Sequence, residues 1–200
     1  MTRVKICGLT LLQDIAMVNA VKPDYVGFVF APSRRQVSFS QASHLRSNLS
    51  SDIVSVGVFV NETIENVLSL TCSGVIDMIQ LHGSEDEAYI RALKIKSNKP
   101  IIKALAVEKR GDVQKWNLSS VDYLLLDSRV GGSGTCFDWS LIGCSAKPFF
   151  IAGGLHLGNV KDAINCTKAF AVDVSSGVER EEIKDFNKIE KFIRRVRNGL

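Results

Sequence analysis

The chain has few of the residues that mark disulfide-rich, fibrous or membrane proteins. Its 200 residues include 4 prolines, 3 histidines and 5 cysteines, and no two cysteines form a C-x-x-C pair. Because the cysteines are odd in number and scattered along the chain, they argue against a disulfide framework and against a cysteine-based zinc site. No apolar run approaches the roughly 18 residues that span a bilayer, and the N-terminus lacks the apolar stretch of a secretory signal. We therefore expect a cytoplasmic protein with reduced thiols and no membrane association.

The remaining composition is that of one globular domain, which we expect to span residues 1–200. The chain is 46% hydrophobic and 23% charged, which excludes disordered, collagen-like and coiled-coil proteins. The net charge of +4 is mild, and its densest cluster alternates with apolar residues at helical spacing. We interpret this cluster as the solvent face of a docked helix and, since no stacking aromatics accompany it, expect no nucleic-acid partner. The residues of this positive cluster are Lys188, Lys191, Arg194, Arg195 and Arg197.

Short apolar runs rich in β-branched residues alternate with segments of helical periodicity, and they predict eight strands. The predicted strands are residues 3–7, 24–30, 53–60, 77–81, 100–104, 122–127, 148–152 and 169–174. Eight strand-then-helix units without a break in composition indicate an α/β protein, a single parallel eight-stranded (β/α)8 or TIM barrel. The competing arrangement is an open doubly wound sheet. A dinucleotide-binding version of that sheet is disfavoured, because Cys7-Gly8-Leu9-Thr10 follows the first strand in place of G-x-G-x-x-G.

Capping residues predict where the helices begin. Thr10, Ser40, Asn61 and Asp185 are expected at helix N-termini, and Ser84 precedes an acidic first turn that suits one. The segments after the fifth and sixth strands give a weaker helical signal, and we expect short helices there.

Polar and reactive residues gather at the C-terminal ends of the predicted strands, where barrels of this kind carry their active sites. Cys7 is either a small buried apolar residue or a base or nucleophile, because Lys5 shares its strand face and favours the thiolate. Asp127 either caps its own loop or is a partly desolvated carboxyl with a raised pKa that suits proton donation.

Glycine-rich stretches after the late strands predict a phosphate site. They are Gly131-Gly-Ser-Gly134, Gly153-Gly154 and Ser175-Ser-Gly177, and such loops let backbone N–H groups surround an anion. Arg34 and Arg35 are either solvated charges or a bidentate site for a carboxylate. His82 is either a loop cap or a ligand contact. Three scattered histidines without a carboxylate cluster argue against a catalytic metal.

Stretches in order along the chain resemble the phosphoribosylanthranilate isomerase family of tryptophan biosynthesis. The first are Lys5-Ile-Cys-Gly-Leu-Thr10, Gly27-Phe-Val-Phe30 with Ser33-Arg34-Arg35, Val58-Phe-Val-Asn61 and Gln80-Leu-His-Gly83. The later ones are Leu125-Leu-Asp127, Gly131-Gly-Ser-Gly134 with Phe137-Asp-Trp139, Ala152-Gly-Gly-Leu155 and Val172-Asp-Val-Ser-Ser-Gly-Val-Glu179. Together they cover the chain from residue 5 to residue 179.

The resemblance implies a cofactor-free and metal-free Amadori rearrangement of N-(5-phosphoribosyl)anthranilate to 1-(2-carboxyphenylamino)-1-deoxyribulose 5-phosphate. It implies Cys7 as general base and Asp127 as general acid, with a small phosphoribosyl substrate. The implied substrate-binding residues are Arg35, His82, Gly154, Asp173 and Ser175. By strand alternation alone, Asp173 would be a structural carboxylate at a strand end. We expect a monomer rather than a homodimer.

Two departures from the family pattern bear on the site. Arg34 stands where many members have proline, so either arginine of this loop is a candidate for the substrate carboxylate. The eighth loop lacks the glycine that usually precedes its Lys-Asp pair, here Lys184 and Asp185.

The alternatives are other small phosphate-binding barrels and a catalytically silent barrel that binds a sugar phosphate. The isomerase of histidine biosynthesis would carry an aspartate at Cys7, and a ribulose-phosphate epimerase would have more histidines and a metal. Indole-glycerol-phosphate synthase would be longer. A silent barrel would have lost its acid or its base, whereas Cys7 and Asp127 are both present.

Overall fold

The strands of the chain close into a parallel barrel. A computed structural model describes residues 1–128 and 136–198, and its barrel has the strand order β1-β2-β3-β4-β5-β6-β7-β8. Closure is visible at Lys5, which lies opposite Tyr25 of β2 on one side and Asp173 of β8 on the other. The predicted barrel is confirmed, and the open sheet is wrong. The predicted glycine-rich stretch 131–134 lies outside the described residues.

The strands agree closely with those predicted from the apolar runs. They are β1 (Arg3–Cys7), β2 (Tyr25–Val29), β3 (Val54–Phe59), β4 (Met78–Leu81), β5 (Ile101–Ala106), β6 (Tyr123–Asp127), β7 (Phe149–Ile151) and β8 (Ala171–Val174). The α-helices are α1 (Leu12–Val21), α2 (Phe39–Ser47), α3 (Ile64–Cys72), α4 (Glu87–Lys96), α5 (Val160–Thr167) and α6 (Phe186–Asn198). Short 3-10 helices, Gln114–Trp116 and Trp139–Leu141, follow β5 and β6, where short helices were expected from a weak helical pattern.

Alternation along each strand divides the apolar side chains between two cores. On β1, Val4 and Ile6 point outward to the helices, while Lys5 and Cys7 point into the barrel. The outer core joins strands to helices around the ring. The inner core fills the N-terminal half of the barrel and centres on Phe150, whose ring lies 5.3 Å from that of Tyr25 and 5.7 Å from that of Phe170. This plug closes the barrel from below and leaves its C-terminal end open.

For α2, α3 and α4, the residue that caps the helix lies two residues from the one predicted. Helix α2 is capped by Ser38 instead of Ser40, since the Ser38 hydroxyl accepts a hydrogen bond from Gln41 N–H. Thr63 caps α3 instead of Asn61, which lies in the preceding loop. Asp86, two residues after Ser84, caps α4.

Of the two remaining predicted caps, Thr10 and Asp185, only Asp185 caps its helix. Thr10 does not cap α1, because the N-cap position is Leu11, and the Asp14 carboxylate accepts from the N–H groups of Thr10 and Leu11 at 2.8 and 3.0 Å. Asp185 caps α6 as predicted, and it accepts from Lys188 N–H at 3.0 Å.

The eighth loop forms a small hairpin above the barrel. Strands β9 (Glu179–Arg180) and β10 (Ile183–Lys184) pair antiparallel, and Glu181 and Glu182 make the turn with φ of 50° and 68°. Two successive residues with positive φ form a type I′ turn, which normally takes Asn and Gly. The turn therefore places two glutamates in a strained backbone conformation, in the loop that lacks the glycine.

Helix α6 docks as predicted. Ile189, Phe192 and Ile193 are buried on its inner face. Within the described residues, no helix is long and apolar enough to cross a membrane.

Candidate active site

A cavity of about 270 Å³ opens at the C-terminal ends of the strands. Its lining includes all seven residues predicted for the site: Cys7, Arg35, His82, Asp127, Gly154, Asp173 and Ser175. They come from the ends of β1, β4, β6 and β8 and from the loops after β2, β7 and β8. The cavity is where the closed sheet brings its strand ends together, above the aromatic plug.

Cys7 lies beside a buried ion pair. The Lys5 Nζ is 3.1 Å from Asp173 Oδ1, and the Lys5 side chain is fully buried. Burial raises the pKa of the Cys7 thiol, and this effect outweighs the Lys5 ammonium, which lowers that pKa. The predicted influence of Lys5 is therefore present, but it is shared with Asp173, and burial outweighs it. The predicted structural interpretation of Asp173 is also supported by this pairing, although its carboxylate lines the cavity.

Asp127 is a desolvated carboxyl at the end of β6. Burial raises its pKa to about 6, and the nearby Asp173 charge acts in the same direction. The Ser128 N–H donates to its Oδ1 at 2.7 Å. Gly153, with φ of 81°, lets the next loop approach closely, since a Cβ there would lie 2.8 Å from Asp127 Oδ1. Asp127 thus combines the loop-capping contact with the perturbed pKa, the two alternatives that the sequence left open.

His82 lies between Asp127 and a buried glutamine. Its Nε2 is 3.7 Å from Asp127 Oδ2, and its Nδ1 is 2.9 Å from Gln80 Nε2. Burial lowers the pKa of the imidazole, and the Lys5 charge lowers it further. His82 is therefore a neutral ring that contacts the site and does not cap the loop.

Arg35 is oriented by Glu179. Its Nε and Nη2 donate to the two carboxylate oxygens of Glu179 at 2.8 and 2.9 Å, which leaves the Nη1 side of the guanidinium for the cavity. Arg34 also binds Glu179, at 2.7 Å, but its side chain is 39% exposed and it does not line the cavity. Burial raises the pKa of Glu179, but hydrogen bonds from Arg35 and Lys184 outweigh it and hold that pKa at about 2.

The hairpin joins this arginine to the predicted phosphate loop. Lys184 Nζ donates to Glu179 Oε1 at 2.6 Å and to the backbone oxygen of Ser175 at 3.1 Å. Ser175 Oγ donates in turn to the backbone oxygen of Cys7 at 2.9 Å. Gly177 lets the loops after β7 and β8 approach, since a Cβ at this position would collide with the backbone oxygen of Leu155. Among the described residues, no group of three or more His, Cys, Asp or Glu side chains could hold a metal ion.

Sequence reasoning missed Gln80, and it did not assign roles to Glu179 or Lys184. Gln80 and Glu179 occur in stretches quoted above, and Lys184 occurs in the Lys-Asp pair of the eighth loop. Gln80 is two residues before His82, so strand alternation could have placed both on the interior face. The Glu179 pairing joins residues 144 positions apart, and no local pattern indicates it.

A family model described as N-(5'phosphoribosyl)anthranilate (PRA) isomerase matches residues 4–195. The chain belongs to the phosphoribosylanthranilate isomerase family. It is 43% identical to the N-(5'-phosphoribosyl)anthranilate isomerase of Endomicrobium trichonymphae, over 99% of this chain and 100% of the relative. It is 46% identical to that of Clostridium kluyveri, with 99% of both chains covered. The predicted activity, an aldose–ketose isomerase of tryptophan biosynthesis, is confirmed.

Solved structures of phosphoribosylanthranilate isomerases have the same barrel. That from Thermotoga maritima superposes with a TM-score of 0.89 at 37% identity, and both chains are covered completely. A phosphoribosylanthranilate isomerase in complex with reduced 1-(o-carboxyphenylamino)-1-deoxyribulose 5-phosphate superposes with a TM-score of 0.86 at 36% identity, again over the whole of both chains.

Proposed function

We propose that Cys7 is the general base and Asp127 the general acid in the isomerisation of N-(5'-phosphoribosyl)anthranilate by this chain. The observation that carries the proposal is their placement in one cavity. They stand at the ends of β1 and β6, which β7 and β8 separate around the ring. An aldose–ketose shift needs an acid and a base on different sides of the sugar, and each contributes roughly 10²–10⁴-fold.

The first step opens the ribose ring. Protonated Asp127 gives its proton to the ring oxygen, the bond from that oxygen to C1 breaks, and the anthranilate nitrogen forms a C=N bond to C1. A carboxyl with a pKa of about 6 suits this step, because about a tenth of it is protonated at pH 7. An ordinary aspartate, with a pKa of 3.8, would be almost wholly ionised.

The second step moves the C2 proton to Cys7. The thiolate takes this proton, the C2–H electrons form a C1=C2 bond, and the C=N electrons return to nitrogen. The resulting enolamine tautomerises to the ketone. Because burial raises the pKa of Cys7, the base needs positive charge nearby. Lys5 supplies one charge, and the protonated C=N group formed in the first step supplies another.

The remaining cavity residues hold the two anionic ends of the substrate. Arg35 binds the anthranilate carboxylate through the side of its guanidinium that Glu179 leaves free. The backbone at Gly154 and Ser175 surrounds the phosphate, and Lys184 stabilises the Ser175 loop. Asp173 acts near the sugar through Lys5, and His82 lines the wall beside Asp127. The related isomerase in complex with the reduced product analogue supports a ligand of this shape.

The test is turnover of freshly prepared phosphoribosylanthranilate, followed by its loss of fluorescence, with and without EDTA. We expect activity that survives the chelator. Cys7→Ser and Asp127→Asn should retain the fold and lose most of kcat, about 10²-fold or more, while Cys72→Ser and Asp162→Asn, at exposed positions, serve as controls. Wild-type kcat in either active-site variant would remove that residue from the mechanism, and loss of activity in EDTA would refute the metal-free reaction.

A further inference from the structure

Gln80 is a buried amide inside the barrel whose role the two-residue mechanism leaves unexplained. It lies on β4 with 1% of its surface exposed, and its side chain points into the barrel beside His82. Its Nε2 is 2.9 Å from His82 Nδ1. An amide nitrogen carries donors and no acceptor, so Nδ1 must accept this hydrogen bond. A neutral imidazole then carries its proton on Nε2.

The second neighbour of the ring requires the same tautomer. His82 Nε2 faces Asp127 Oδ2 at 3.7 Å, and a lone pair on that nitrogen would repel the ionised carboxylate. In the present orientation of the amide, Gln80 Oε1 is buried and has no hydrogen-bond partner among the described residues. The opposite orientation would place the NH2 group at that position, and its N–H donors would then be buried without a partner. An unpaired buried donor is rarer in proteins than an unpaired carbonyl oxygen. Both neighbours of His82 therefore indicate a proton on Nε2.

We propose that Gln80 is a positioning residue that fixes the tautomer of His82, so that the His82 Nε2–H faces the Asp127 carboxyl. The inference rests on the proposed role of Asp127 as general acid. When Asp127 gives its proton to the substrate, the new carboxylate is largely buried and needs a hydrogen-bond donor. The gap of 3.7 Å is a few tenths of an ångström too long for a hydrogen bond. Such contacts commonly tighten in the substrate complex.

The tautomer can be read directly from the ring nitrogens by NMR. In protein labelled with ¹⁵N-histidine, three imidazoles contribute, those of His44, His82 and His156, and His82→Asn identifies the signals of His82. We expect an unprotonated Nδ1 and a protonated Nε2 in the wild type at neutral pH. Gln80→Glu, which retains the shape but only accepts, should reverse this assignment. Gln80→Met removes the hydrogen bond without adding charge, and His82 should then no longer prefer the tautomer with its proton on Nε2.

Steady-state kinetics of single and double variants test whether Gln80 acts through His82. Gln80→Glu should lower kcat by about 10-fold to 100-fold, the usual effect of one hydrogen bond to a charged group, with little change in KM. The same substitution made in His82→Asn should cost no further kcat, because the ring that it orients is gone. Gln41→Glu, on the exposed surface of α2, is the matched control for the added charge and should leave kcat unchanged.

Two results would overturn the proposal. One is a wild-type His82 with its proton on Nδ1. The other is an equal loss of kcat on Gln80→Glu with and without His82. If Gln80→Glu does not fold, Gln80→Met provides both readouts. Failure of the proposed function has a different signature, since wild-type turnover in Asp127→Asn would reject the acid role while the NMR result still decides the tautomer.

Discussion

The raised pKa of Asp127 predicts that this carboxyl destabilises the free protein at neutral pH. Burial moves the pKa from an ordinary 3.8 to about 6. The side chain is 15% exposed, so solvent screening is slight. Each pKa unit corresponds to about 1.4 kcal/mol, and ionising Asp127 in the folded state therefore costs about 3 kcal/mol. Asp127→Asn removes this cost and retains an oxygen that accepts from Ser128 N–H.

The sign of the pH dependence follows from linkage. Asp127 binds its proton more tightly in the folded than in the unfolded protein. Its favourable contribution is therefore complete below about pH 3.8 and is lost as the pH rises through about 6. The stability difference between Asp127→Asn and wild type should grow by about 2 kcal/mol between pH 4.5 and pH 7.5. A constant cost of burying the amide cancels in this comparison.

Urea unfolding at both pH values measures the effect. Asp52→Asn is the matched control, because the Lys22 hydrogen bond lowers the pKa of the exposed Asp52 to about 2, below both pH values, and the stability difference for this variant should therefore change little between them. A stability difference for Asp127→Asn that stays constant from pH 4.5 to 7.5 would refute the raised pKa. That result would also refute the argument that this site maintains a protonated acid at the expense of stability.

Three further outcomes are expected. Wild-type kcat/KM, divided by that of Asp127→Asn, should fall about tenfold per pH unit above about pH 6. Titration of the substrate affects both proteins and cancels in this ratio, so a ratio that does not change with pH would mean that Asp127 donates no proton. Arg35→Ala should mostly raise KM, whereas an effect confined to Arg34→Ala would assign the carboxylate to the exposed arginine. Glu182→Gly should raise the free energy of unfolding, measured in urea, by about 0.5–1 kcal/mol, because φ at this residue is 68°. A lower free energy of unfolding would show that contacts of the Glu182 side chain stabilise the protein by more than the backbone strain costs.

The strands could be predicted because each one is a local pattern with a strong physical cause. The run from Val54 to Phe59 is apolar apart from Ser55, since the barrel buries one face and the helices bury the other. The helix starts were less predictable. Ser38 and Ser40 are both good caps two residues apart, and the choice between them depends on Gln41, whose side chain accepts from Ser38 N–H in return.

The same contrast explains which parts of the site were found. Cys7 and Asp127 stand at strand ends, and parallel strands bring such ends to one edge, so a one-dimensional pattern predicts their convergence. The ionisation of the two groups depends on distant partners instead. Asp173 approaches Lys5 across 168 residues because β8 pairs with β1 when the barrel closes.

Barrel closure therefore decides more than the position of the site. The charge that Lys5 offers to Cys7 is divided with Asp173, and the orientation of Arg35 depends on Glu179 in the last loop. Glu179 is in turn held by Lys184, which also supports the Ser175 loop. The proposed carboxylate and phosphate sites are thus joined through one hairpin after β8, the strand whose pairing with β1 closes the ring. A barrel that failed to close would lose the environment of the Cys7 thiol and both of these proposed sites together.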